Sequence, residues 1–137
     1  MPDNANTEKT RIKHLLEAWA DAVRRHDIEA IIAHHDQDII MFDLPPPLQC
    51  KGLEAYKQTW GLLFSYHKPG TAFDIQEIAV TAGQDVAFAA VIMFCGPNSS
   101  SNPAEKHGFL FRLTVGLRNV SGVWRIAHEH HSVPATG

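Results

Sequence analysis

The spacing of apolar residues changes at about residue 70 of this 137-residue chain. Before that point, apolar residues recur at three- and four-residue intervals, which is the period of a helix. After it, they alternate with polar residues or form short runs between turn residues, as strands do. Helices followed by a meander of strands predict an α+β domain, with the helices on one face of a curved antiparallel or mixed sheet. The concave side of such a sheet would form a pocket.

Three helices and a strand are predicted in the front half. After a flexible tail at residues 1–6, the first helix begins at about Thr7 and carries one apolar stripe. The members of that stripe are Ile12, Leu15, Leu16, Trp19 and Val23. Asp27 suits the N-cap of a second, short helix that ends in the stretch HHDQD at residues 34–38. IIMFD at residues 39–43 predicts a strand, the prolines of LPPPLQCKG predict a loop, and Gly52 opens the third helix.

The second half predicts four strands. In TAFDIQEIAVTA, a slip in the alternation near Gln76 and Glu77 indicates a bulge. VAFAAVIMFC predicts a strand that is covered on both faces, and GPNSSSNPAEKHG predicts a flexible loop. FLFRLTVGLR and VWRIAHEHHSV are the last two strands. No repeat or second domain is visible, so residues 7–134 are expected to form a single domain.

Composition excludes several classes of partner. The net charge is −3 and no basic run is longer than Arg24-Arg25, so we expect no nucleic-acid partner. The longest apolar run has ten residues and the polar N-terminus lacks a signal core, so we expect no membrane partner and a cytoplasmic location. Cys50 and Cys95 have no zinc-ligand spacing and are expected to be reduced thiols.

The candidate catalytic residues follow from strand alternation. In the last strand, His128 and His130 share a face with Trp124 and Ile126, whereas Glu129 and His131 share the other. We expect four side chains to point into the pocket as catalytic residues: Asp43, Arg112, His128 and His130. Glu129 is expected to pair with a cation at the surface or at a dimer interface, and His131 is expected to face solvent.

Each candidate has a chemical role and an alternative. A carboxylate such as Asp43 loses solvation in an apolar cavity and could take a proton from a carbon next to a carbonyl; alternatively, it caps the following loop. His128 and His130 could exchange protons near neutral pH, or could bond to the backbone or to Ser132. Arg112 could hold a carboxylate or an enolate, could pair with Asp43, or could face solvent.

The remaining predictions concern the pocket wall and metals. The expected pocket residues are Trp19, Met41, Trp60, Phe64 and Thr114, although such aromatic stripes also form plain core. His128 and His130 could offer two nitrogens to zinc, with a third ligand from Asp43 or His34. Because no HExxH motif or cysteine pair is present and the third ligand is missing, we expect no metal.

Two segments resemble a known family. WADAVRRHDIEAIIAHHDQDIIMFD, followed by a proline-rich loop and KGLEAYKQTW, is similar to the front half of SnoaL-like proteins, which belong to the NTF2-like, ketosteroid-isomerase-like superfamily. LRNVSGVWRIAHEHHSVP is similar to their closing strands. The resemblance covers residues 7–134. It implies a cone-shaped α+β barrel with an internal pocket and a homodimer that forms through the outer face of the sheet.

The resemblance to ketosteroid isomerases holds at one of their three functional positions and fails at the other two. Asp43 matches the general base of ketosteroid isomerases, but Trp19 stands near the tyrosine position, and Leu113 or Thr114 stands near the position of the protonated acid. The resemblance thus implies a binder of a small apolar ligand, acting without a cofactor as an isomerase, cyclase or dehydratase on an apolar carbonyl compound. The alternative is a non-catalytic ligand-binding or dimerisation module on the same fold.

Overall fold

The computed structural model describes residues 3–65, 68, 71–96 and 108–135. The flexible loop predicted at residues 96–108 therefore lies outside the described residues except at its two ends. None of the helices in these ranges is both long and apolar enough to span a membrane.

The three predicted helices are present. They are α1 (Asp3–Arg24), α2 (Ile28–Ile32) and α3 (Leu53–Leu63). α1 begins before the predicted start at Thr7, so residues 3–6 of the expected tail are helical. Asp27 caps α2 as predicted, because its Oδ1 accepts the Ala30 N–H at 3.1 Å. Gly52 precedes α3 with a φ of 92°, a conformation that favours glycine.

The strands form one six-stranded mixed sheet in the order β2-β1-β6-β5-β4-β3. The strands are β1 (His35–Phe42), β2 (Cys50–Lys51), β3 (Ala72–Ala82), β4 (Val86–Gly96), β5 (Phe109–Val120) and β6 (Val123–Ser132). β1 runs parallel to β6, and all other neighbours are antiparallel. The predicted α+β class is therefore confirmed. β1 starts earlier than predicted, because His35 pairs with Ile126 of β6 instead of ending the second helix.

In the part of the chain that the structure describes, helices cover only one face of the sheet. Along β4, Ala87, Ala89 and Val91 are buried, whereas the side chain of Phe88 is 52% exposed. The prediction that this strand is covered on both faces is wrong, since Phe88 and Ala90, on the face opposite to Ala87 and Ala89, are exposed. The core lies between that inner face and the helices.

Two bulges in the antiparallel pairs change the alternation of the strands. In β3 the pairing passes from Ile75 with Met93 to Glu77 with Ile92, which confirms the predicted bulge at Gln76. In β6 the pairing passes from Ile126 with Leu117 to His128 with Gly116, so Ala127 is left without a partner. The second bulge was not predicted, and it determines which face each later residue of β6 occupies.

Candidate functional site

A cavity of about 460 Å³ lies between α3, the end of β1 and the inner face of β3 to β5. Its wall is mainly apolar and aromatic, with contributions from Met41, Trp60, Phe73, Phe109 and Phe111. A volume in this range is typical of small-molecule binding sites. The cavity can therefore hold a compound with flat, apolar surfaces.

The ionisable side chains in the described wall of the cavity are Asp43, His131 and Cys95. Oδ1 of Asp43 lies 3.9 Å from Nδ1 of His131, and the two side chains are 21% and 8% exposed. The same Oδ1 accepts the N–H of Leu44 at 2.8 Å, so the backbone holds this carboxylate in place. Burial raises the pKa of the Cys95 thiol, which is therefore protonated at neutral pH.

Behind His131 lies a buried polar network centred on Glu129. Nε2 of His131 is 2.9 Å from Oε1 of Glu129, and Nε2 of His35 is 2.7 Å from Oε2. The Tyr56 hydroxyl donates to the same Oε2 at 2.6 Å and accepts the indole N–H of Trp19 at 3.1 Å. β1, β6, α1 and α3 each supply a member, so the network ties the sheet to the helices.

Hydrogen bonding determines the charge of Glu129. Burial alone would raise its pKa, but hydrogen bonds from His131 and His35 outweigh burial and lower the pKa to about 2. Burial, and then the nearby Glu129 carboxylate, raise the pKa of Tyr56 well above its ordinary value. At neutral pH, Glu129 is therefore an anion and Tyr56 a neutral donor.

Some of the predicted pocket residues lie at the cavity and others lie behind it. Asp43, Met41 and Trp60 are in its wall. Trp19 is buried one layer deeper, where its ring meets those of Trp60 and Phe73 at 6.0 and 5.3 Å. Phe64 packs against Trp60, with the ring centres 5.9 Å apart.

The predicted inward orientation of His128 and His130 is wrong. The bulge at Ala127 shifts the alternation by one residue, so both rings lie on the outer face, where they meet the ring of Phe42 at 5.0 and 5.3 Å. Nδ1 of His128 is 2.7 Å from the carbonyl oxygen of Ile40, a backbone contact that was the alternative considered for it.

The inward orientation of Arg112 and Thr114 is also wrong. Both are exposed on the outer face of β5, because the apolar side chains that alternate with them, Phe111 and Leu113, occupy the inner face. Nε of Arg112 donates to Oγ of Ser132 at 3.1 Å. Arg112 therefore does not reach the cavity or Asp43.

The residues of the buried network were not predicted from the sequence. Glu129 was expected at the surface and His131 in solvent, but their exposures are 0% and 8%. Gly116, in the middle of β5, was a usable signal, because a glycine inside a strand often marks a bulge in its pairing. The role of His35 was not predicted, because residues 34–38 were expected to end the second helix and not to begin a strand.

No group of three His, Cys, Asp or Glu side chains that could hold a metal ion occurs in the part of the chain that the structure describes. The outer-face histidines, His128 and His130, have ring centres 6.4 Å apart.

Comparison with known proteins places this arrangement in a family. The profile of the SnoaL-like domain matches residues 12–136. An NTF2-like protein of unknown function from Pseudomonas putida is 33% identical, with a TM-score of 0.86 over 96% of this chain and 90% of that one. Comparison with curated protein sequences gave no match.

Two more distant structures share the fold. A ketosteroid isomerase-like protein from Erwinia carotovora is 21% identical, with a TM-score of 0.68 over 91% of this chain and 95% of that one. The association domain of CaMKII from C. elegans is 18% identical, with a TM-score of 0.75 over 96% of this chain and 99% of that one. At these identities the likeness shows the fold alone.

Proposed function

The chain belongs to the SnoaL-like domain family of the NTF2-like superfamily, and from this premise we propose that it is a cofactor-independent enzyme that acts on a small, mostly apolar carbonyl compound by acid–base catalysis. The reaction class would be isomerisation, cyclisation, hydration or dehydration. The observation that carries the proposal is the pairing of Asp43 with His131, 3.9 Å apart, in an otherwise apolar cavity.

Asp43 is the proposed general base. A carboxylate at the edge of an apolar cavity can take the proton from a carbon next to a carbonyl group. The carbonyl oxygen then gains negative charge, and the adjacent His131 ring can stabilise it by a hydrogen bond. His131 thus replaces His128 and His130, which lie on the other face of the sheet, as the acid–base partner.

The ketosteroid isomerase mechanism is not part of the proposal. Trp19 stands near the position of the tyrosine of ketosteroid isomerases. Its indole N–H donates to the Tyr56 hydroxyl, and its ring lies behind the wall of the cavity. Leu113 has no polar group, and Thr114 is on the outer face. An enolate formed in this cavity would instead be stabilised by His131.

The test follows proton exchange in a model ketone, because it measures base catalysis directly. In D2O, the full-length protein should accelerate exchange of the acidic C–H protons of β-tetralone, a bicyclic apolar ketone, as followed by proton NMR. Asp43→Asn should slow the catalysed exchange by about 100-fold or more, since general base catalysis contributes that much.

The matched control is Asp38→Asn, which removes the same charge from an exposed position of β1. It should leave exchange unchanged. Full exchange activity in Asp43→Asn would remove the proposed base. Binding of β-tetralone by the native protein without any exchange would favour the alternative, a non-catalytic ligand-binding module.

We also propose that the protein forms a homodimer through the outer face of its sheet. Among the described residues, that face carries apolar side chains without helical cover, namely the exposed Phe88 and Ala90 and the half-buried Ile92 of β4. Exposed apolar patches of this kind are typical of association surfaces.

A further inference from the structure

The buried network fixes where its protons lie. We propose that His131 is held as an imidazolium ion in the resting protein, bound through Nε2–H to Glu129 and presenting Nδ1–H to the cavity beside Asp43, whereas His35 stays neutral. The catalytic use of this proton rests on the proposed function, but the protonation state itself does not.

The first step is the charge of Glu129. The indole nitrogen of Trp19 can only donate, so the Tyr56 oxygen accepts from it and the Tyr56 proton points to Glu129. Oε2 of Glu129 therefore accepts from Tyr56 at 2.6 Å, and the ring nitrogens of His35 and His131 lie 2.7 and 2.9 Å from Oε2 and Oε1. Such short contacts at both oxygens favour the ionised carboxylate, in agreement with the lowered pKa of Glu129. An anion that is 0% exposed needs a cation as its partner.

The second step limits the choice of cation. Among the described residues, the ion-pair partners of Glu129 are His35 and His131, and neither a lysine nor an arginine reaches it. Tyr56 is a neutral donor. One of the two histidines must therefore carry the compensating charge.

The third step excludes His35. Its Nδ1 is buried and has no hydrogen-bond partner among the described residues. A proton there would leave a charged N–H group unpaired in the interior, which is among the costliest arrangements in a protein. His35 is therefore the neutral tautomer, with its proton on Nε2 and directed at Glu129.

The surroundings of His131 fit a cation. Glu129 faces its Nε2, and Asp43 faces its Nδ1 at 3.9 Å. Its ring stacks on Phe111, with an interplanar angle of 8° and ring centres 5.5 Å apart, a distance at which an aromatic ring also attracts a cation. Cys95, the other titratable group in the wall, is neutral.

The arrangement gives the cavity an acid and a base side by side. In the proposed reaction, Asp43 takes a proton from the carbon while Nδ1 of His131 gives its proton to the carbonyl oxygen, so the ketone becomes an enol and His131 becomes neutral. Return of the two protons regenerates both groups. Glu129, His35 and Tyr56 do not touch the substrate, and they act as positioning residues.

Nitrogen NMR of the histidine rings tests the protonation state without any substrate. In long-range proton–nitrogen spectra of the full-length protein at pH 7, assigned with His131→Gln, His131 should show two proton-bearing nitrogens. His35 should show a protonated Nε2 and a bare Nδ1. Glu129→Gln should convert His131 to a neutral ring at the same pH, because the buried negative charge is gone.

Tyr56→Phe is the matched control, since it removes a hydrogen bond to Glu129 but no charge, and His131 should stay doubly protonated. If Glu129→Gln does not fold, the spectra of the native protein and Tyr56→Phe decide alone. A neutral His131, or a doubly protonated His35, in the native protein would overturn the inference. Because proton exchange in Asp43→Asn is measured separately, failure of this inference is distinguishable from failure of the proposed function.

Discussion

At the scale of single residues, Glu129 organises the polar end of the cavity. It is fully buried, receives hydrogen bonds from Tyr56, His35 and His131, and so orients the ring that stands beside Asp43. Asp43 lies in the cavity wall, as predicted from its place between an apolar strand and a proline-rich loop and from its match to the general base of ketosteroid isomerases. Glu129 and His131 were not, because their orientation depends on one unpaired residue, Ala127, whose effect appears only when β5 and β6 are paired.

The charge of Glu129 makes stability depend on pH. Its pKa is lowered from an ordinary 4.5 to about 2 in the folded protein, so its contribution is complete above pH 4.5 and is lost as pH falls towards 2. A shift of this size corresponds to about 3 kcal/mol of unfolding free energy. Urea unfolding between pH 5 and 2 should show this loss, because the difference in unfolding free energy between the native protein and Glu129→Gln should decrease as the pH falls. A difference in unfolding free energy that does not vary with pH would contradict this prediction.

At the scale of elements, the kinds of element were predictable and the faces of the strands were less so. Apolar spacing predicted α1, and the slip near Gln76 predicted the bulge in β3. Local sequence could not show that residues 35–38 belong to β1. These residues are held in the strand by pairing with β6, which lies more than 80 residues later in the sequence. The short helix α2 was found because its cap, Asp27, is a local signal.

Arg24 links the end of α1 to β3 by hydrogen bonds. Its guanidinium donates to the carbonyl oxygen of Phe73 at 2.7 Å and to Asp74 at 3.3 Å. Arg24→Gln should lower the unfolding free energy by about 2 kcal/mol, because a partly buried, charge-assisted bond between elements is lost. Urea denaturation measures this directly.

Arg25→Gln is the control for that measurement. Among the described residues, the ion-pair partners of Arg25 are Asp21 and Asp27, whose side chains are 53% and 42% exposed, and such pairs contribute little. Equal destabilisation by the two substitutions would show that the contact between α1 and β3 has no special role.

At the scale of the whole molecule, the helices pack on one side of the curved sheet, and no helix of the described ranges packs on the other side. The cavity and the outer face are therefore separate surfaces. Of the three histidines of β6, His131 lies at the cavity, whereas His128 and His130 lie on the outer face. The sequence predicted the fold class and a concave pocket, because segregated helices and strands have few ways to pack. The predicted faces of β5 were reversed, because its apolar row of Phe111, Leu113 and Val115 packs in the core and Arg112 therefore faces outward.

The proposed dimer gives a prediction at this scale. Native protein should have a solution mass of twice 15.2 kDa by light scattering, and Phe88→Glu should shift it to a monomer, because a charge would be buried in the interface. Leu48→Glu, in the loop between β1 and β2, is the control and should leave the dimer intact, as Leu48 is 94% exposed but lies off the sheet face. A native protein that is monomeric at micromolar concentration would contradict the proposal.

The most direct test of the cavity as the place of catalysis compares two histidines of the same strand that lie on opposite faces of the sheet. Exchange of the acidic protons of β-tetralone in D2O should fall by about 100-fold in His131→Gln, because the acid beside Asp43 is lost, and should equal the native rate in His130→Gln. Native exchange in His131→Gln, or an equal loss in both variants, would contradict the account.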